Sequence, residues 1–211
     1  MKARIPTREI AEEAKFRKKS ARNNDRFLNY AHRSIVLSVR DNAGFGDARM
    51  SRLIDGSYCI GRDYIERFSP LEKTDEDYAV DSYYAMRREL LYIGWDPSVE
   101  LWRDNPFTLA DMELSGHQSA AKRAENDAYV YFANMLSFYV REMAAMVALH
   151  LHDTDGFGAT RLSRVFDPFV EDWRRLMARY LHKDREGLVA EMRRILNRYN
   201  DCPVFPAEYT L

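Results

Sequence analysis

The sequence predicts an all-α chain, and three observations carry that prediction. Helix-favouring Ala, Glu, Arg, Leu and Met are plentiful among 211 residues that include only nine glycines and seven prolines. Apolar residues recur at spacings of three and four along much of the chain. A twelve-residue segment, GFGDARMSRLID at 44–55, returns as GFGATRLSRVFD at 156–167.

The repeat sets the predicted organisation. Sliding the sequence by 112 positions aligns these segments with seven of twelve residues identical, and it also aligns Leu37 with Leu149 and Asp41 with Asp153. AMRREL at 85–90 echoes EMRRIL at 191–196 at a shorter offset. Two related helical modules follow, the product of a tandem duplication, packed about an approximate internal twofold. The first covers 1–94 and begins with a basic arm, a linker covers 95–117, the second module covers 118–200, and 201–211 form an extended tail. Each module holds a long helix, a glycine corner, a second helix and a closing helix.

Along the chain, residues 1–34 carry ten Lys/Arg against four Asp/Glu, the charge expected of an arm for an anionic partner. Residues 69–117 carry four against eleven, so the two segments also suit each other. Thr74 ahead of three acids, Thr108 with Asp111, and Asp184 are expected to cap helix starts. Tyr78, Tyr83, Tyr84 and Tyr92 follow the acidic stretch, with Tyr84 and Tyr92 near one helix side and Tyr83 elsewhere. Pro97 and Pro106 mark the linker, where Trp95 and Trp102 are placed to plug a groove or to anchor a partner. Phe132, Met135, Leu136, Tyr139, Val140, Met143, Met146, Val147 and Leu151 form one helical stripe, and Leu162, Val165, Phe166, Phe169, Val170, Trp173, Leu176, Met177, Tyr180 and Leu181 form the next. Asp55-Gly56 and Asp167-Pro168 are expected to end the helices that start at the corners. The tail beyond Asp201 carries two prolines and is not helical throughout.

Each corner predicts a specific geometry. Gly44 and Gly156 suit the left-handed conformation that ends a helix, and Phe45 and Phe157 then turn inward as plugs. Gly46 and Gly158 open the next helix, where backbone N–H groups lack partners and the helix dipole is positive. Arg49 and Arg52, like Arg161 and Arg164, project from one side of that helix beside those N–H groups. Such a pair holds a phosphate or a carboxylate. The alternative is a purely structural hairpin whose arginines pair with Asp55, Asp63, Asp167 or Glu171.

The segment ALHLHDTDGFGATRLSRVF resembles the helix-turn-helix segments of bacterial repressors. The resemblance puts Ala148 on a first helix, Gly156 and Phe157 in the turn, Leu162, Val165 and Phe166 inward, and Arg161, Ser163 and Arg164 towards a groove or phosphates. Asp47, Asp153 and Asp155 oppose phosphate at the same places. A second pattern, Leu151-His152 through Arg161-Leu162, is similar to small helical proteins of unknown function from phages and prophages, and implies a phage origin. Its first copy departs from that pattern, with Arg40 where the second has His152.

Other chemistry finds little footing. His150 and His152 diverge by roughly 200° on a helix and cannot chelate one metal; His117 and His182 have no near partners. No phosphate-binding loop or nucleophile elbow is present, and the expectation is a non-enzymatic protein without cofactor or metal. Cys59 and Cys202 are the only cysteines, no signal peptide is recognisable, and the most apolar run contains Asn134, Arg141, Glu142 and His150. The expected setting is therefore cytoplasmic, in a host cell if the chain is phage-encoded, with no membrane partner. The expected partner is nucleic acid; a host protein, a nucleotide signal held between modules, a structural phage role and homo-oligomerisation stay open.

Overall fold

The computed structural model describes residues 27, 29–68, 75–97, 107–112, 114, 116 and 118–200. Most of the basic arm, the extended tail, and Thr74, Trp102, Pro106, His117 and Cys202 lie outside the described residues. The described residues are all-α: helix α1 covers 29–43, α2 Asp47–Phe68, α3 Asp75–Tyr92, α4 Ala120–Asp155, α5 Ala159–Leu181 and α6 Arg185–Asn200, with a short 3-10 turn at Leu109–Asp111. None of these helices is long and apolar enough to cross a membrane.

Two helices form the centre because part of each is buried on every side. Residues 33–39 of α1 are all buried, as are residues 147–151 of α4, with the polar Arg33, Ser34, Ser38 and His150 among them, and a helix segment buried all round is enclosed by others. One continuous core runs from Phe27 to Ile195, so both halves of the sequence share it. Residues at corresponding positions of the two helices make enclosing contacts. In α1, Ser34 donates to Asp172 at 3.1 Å and Ser38 donates to the Val165 carbonyl, both on α5. The positions 112 further on, Met146 and His150 of α4, lie against Gly61 and Gly56 of α2.

The helix starts have local causes. Ser119 caps α4 by accepting from the Lys122 N–H at 3.3 Å, and the Asp184 carboxylate accepts from the Gly187 N–H at 2.9 Å at the start of α6. That bond and the Arg179 guanidinium hold the Asp184 carboxyl below its usual range. Asp111 accepts from the Thr108 N–H and hydroxyl, but only a single 3-10 turn follows. Trp95 leaves α3 after a left-handed Gly94 and is completely enclosed, its ring 5.1 Å from Phe166. Arg87 clasps the neighbouring Asp96 through two bonds of 2.8 and 2.7 Å. On the same helix Tyr83 is buried, while Tyr84 and Tyr92 face outward.

The expected breaks at Asp55-Gly56 and Asp167-Pro168 do not occur: α2 and α5 run through both. Pro168 sits on the exposed side of α5, where losing one backbone bond is outweighed by an uninterrupted buried stripe from Leu162 to Leu181. Gly56 is a site of close approach. A Cβ there would collide with the His150 ring, whereas one at Gly61 would meet the flexible end of Met146. Gly56→Ala is therefore expected to destabilise by about 1–2 kcal/mol, overpacking exceeding the helix-propensity gain. Gly61→Ala is expected to be near neutral, because the thioether can move aside. Paired urea melts check this, and equal effects at the two positions would contradict it.

Candidate functional site

The two corners lie against each other and share much of their backbone, although the Phe157 N–H also returns to the Leu151 carbonyl and the Phe45 N–H has no matching bond among the described residues. Gly44 and Gly156 both have φ of 67°, in the left-handed region where a side chain is strained. The N–H of Gly44 returns to the Arg40 carbonyl and that of Gly156 to the His152 carbonyl, the matching bonds 112 residues apart. Each α2 or α5 start repeats the other: the Gly46 carbonyl accepts from the N–H groups of Arg49 and Met50, and the Gly158 carbonyl from those of Arg161 and Leu162. Phe45 and Phe157 are buried and meet edge to face, ring centroids 5.9 Å apart. That contact brings the starts of α2 and α5 together.

Each arginine nearest its corner lies over its own phenylalanine. The Arg49 guanidinium is 4.1 Å from the Phe45 centroid and that of Arg161 is 3.8 Å from Phe157, distances at which the cation is attracted to the ring face. The resemblance stops there. Arg49 donates through Nε (2.9 Å) and Nη2 (2.6 Å) to one oxygen of Asp155, a residue of the opposite corner. Position 43, which corresponds to Asp155, is Ala43, and Arg161 has no ion pair with a described residue. Arg52 and Arg164 are exposed and likewise without an ion pair to a described residue, while Ser163 is half-buried between Arg161 and Arg164.

Thus the arginines are not neutralised by the acids named from the sequence. Glu171 takes Arg175, and Asp55, Asp63 and Asp167 make no ion pair with a described residue. Asp155, 106 residues from Arg49, is the acid that the sequence could not pair with it. Asp47 and Asp153 remain exposed near the corners and offset part of the positive field.

Gly46 and Gly158 leave the helix starts bare. A Cβ at either would meet nothing within 4 Å, so the packing does not require glycine there. Gly158 is the cap residue of α5 and has no side chain to accept from the first turn. His152 donates from Nδ1 to the Phe157 carbonyl at 2.9 Å and so braces the second corner. His150 points elsewhere, into a cleft of about 330 Å³ between α2 and α4 lined by Arg49, Arg52, His150, Thr154 and Asp155. Burial keeps its imidazole below the usual histidine range, with Asp155 and Asp153 pulling the other way. No three acidic, His or Cys side chains are grouped to hold a metal among the described residues.

Comparison with known protein families, with curated proteins and with solved structures finds no match to this chain.

Proposed function

We propose that this chain is a non-enzymatic binding protein, phage-encoded as its second corner suggests, that contacts nucleic acid through both glycine corners acting as one surface. The observation that carries the reading is the Phe45–Phe157 contact, which joins two helix starts and their arginines. The shared left-handed glycine, matching backbone bonds and paired cation–ring contacts support a tandem duplication about an approximate twofold. Bare N–H groups behind Gly46 and Gly158 add to Arg52, Arg161 and Arg164 as donors for phosphate oxygens.

The chemistry favours backbone contact over base reading. Phosphate contacts from helix starts and arginines set position and carry no sequence information. In a repressor the recognition helix presents one face to a groove, but here α2 and α5 bury their long stripes in a common core. Asp47 and the Arg49–Asp155 pair lower the attraction at the first corner, so the second corner contributes more.

Fluorescence anisotropy with a labelled oligonucleotide at low salt tests this. Arg161→Ala and Arg164→Ala are each expected to weaken binding about tenfold, the scale of one lost hydrogen bond to a charged group. Asp155→Ala, which gives the second corner the residue found at Ala43, frees Arg49 and is expected to tighten it. No binding of duplex or single strand at low salt would remove the reading.

A further inference from the structure

We propose that the cleft between α2 and α4 is a pocket for a compact phosphomonoester, held by Arg52, the unengaged edge of Arg49 and the His150 ring. His150 is nine-tenths buried, lines this cleft and hydrogen-bonds to no described residue. A neutral imidazole carries one N–H donor and one acceptor; its Cε1–Nδ1 edge packs against Gly56, and neither nitrogen is fully enclosed, so the ring can offer a polar atom to a group in the cleft. The fold makes room for that ring at a cost to α2: Gly56 sits mid-helix where any Cβ would collide with it. Thr154, one turn beyond His150 on α4, adds a hydroxyl to the same wall.

Charge and size select the ligand class. Arg49 and Asp155 cancel, and Arg49 spends Nε and Nη2 on that pair while Nη1 binds no described residue. Among the residues lining the cleft, Arg52 supplies the one charge without an ion pair to a described residue, suited to a single phosphate group. A diester backbone would have to carry successive charges past Asp155. The cleft, at about 330 Å³, exceeds a bare phosphate and reaches the lower range of ligand pockets, so a further group fits beside the anion. The ligand is a free nucleotide or sugar phosphate, or else the 5′-phosphate of a strand. The proposal shares Arg49 and Arg52 with the reading above but requires neither Arg161 nor Arg164.

Titrations of the full chain with inorganic phosphate, adenosine 5′-monophosphate, and a short strand with or without a 5′-phosphate, followed by NMR at the His150 ring and Thr154 amide, test it. Adenosine 5′-monophosphate is expected to shift both signals, and Arg52→Ala to weaken it at least about tenfold. His150→Gln, which moves the donor, should weaken it as well, and Arg52→Ala on an exposed side chain keeps the test informative if that variant folds poorly. Shifts from the 5′-phosphorylated strand and not from its 5′-hydroxyl counterpart would place the source at strand ends; shifts from the mononucleotide alone would point to a free metabolite. Silence at His150 with every phosphate, or equal shifts from the 5′-hydroxyl strand, would overturn the proposal. Arg161→Ala should leave the mononucleotide affinity unchanged, so failure here and failure of the corner surface are told apart.

Discussion

Phe157→Ala is expected to cost about 3–5 kcal/mol of stability, the range for deleting a buried aromatic ring. The ring is completely enclosed, stands edge-on to Phe45 and carries the Arg161 guanidinium on its face. A left-handed glycine on one side and a helix start on the other fix its backbone, so the surroundings cannot close on the void. Domain stability is typically about 5–15 kcal/mol, so this one substitution removes a large share. For a chain of this size the melting temperature should fall by roughly 6–20 °C. Thermal melts by circular dichroism check it, with Phe45→Ala alongside. A Phe157→Ala protein melting within a degree or two of the parent would show that the corners do not meet as described.

Asp172→Ala is expected to cost about 3 kcal/mol, with Asp172→Asn intermediate. The carboxylate is buried and accepts from Ser34 of α1 (3.1 Å), Arg175 of α5 (2.6 Å) and Arg194 of α6 (2.5 Å). It is thus the polar junction of three helices. Removing it takes the buried anion from Arg175 and Arg194, which keep only Glu171 and Glu191, and leaves the Ser34 hydroxyl unmatched. Arg175 and Arg194 keep about two-fifths of their side-chain surface in solvent, which holds the penalty at the lower end of the range for buried pairs. Chemical denaturation measures it, and a loss below about 0.5 kcal/mol, the scale of an ordinary surface substitution, would refute the junction.

What could be read from the sequence was what local chemistry decides. The Gly-Phe-Gly corners, the inward Leu162, Val165 and Phe166, and the Asp184 cap depend on neighbours a few residues away. Gly56 and Pro168 were misleading for the same reason: read locally they end helices, and only the His150 ring across the interface or the buried stripe beneath Pro168 explains their place inside one. Asp155 pairs with Arg49 across 106 residues and Asp172 with Ser34 across 138, and no spacing rule links such partners. Ser119 was legible in principle, since a serine before a helical run is a cap signal. The cleft was not, because it exists only where α2 and α4 come together.

Arginines of both corners acting together on phosphate would make oligonucleotide binding depend on salt through each corner. Log affinity should fall linearly with log salt, and Arg52→Ala and Arg164→Ala, one from each corner, should each reduce the slope by about one. A slope near zero, or one that neither substitution changes, would contradict it.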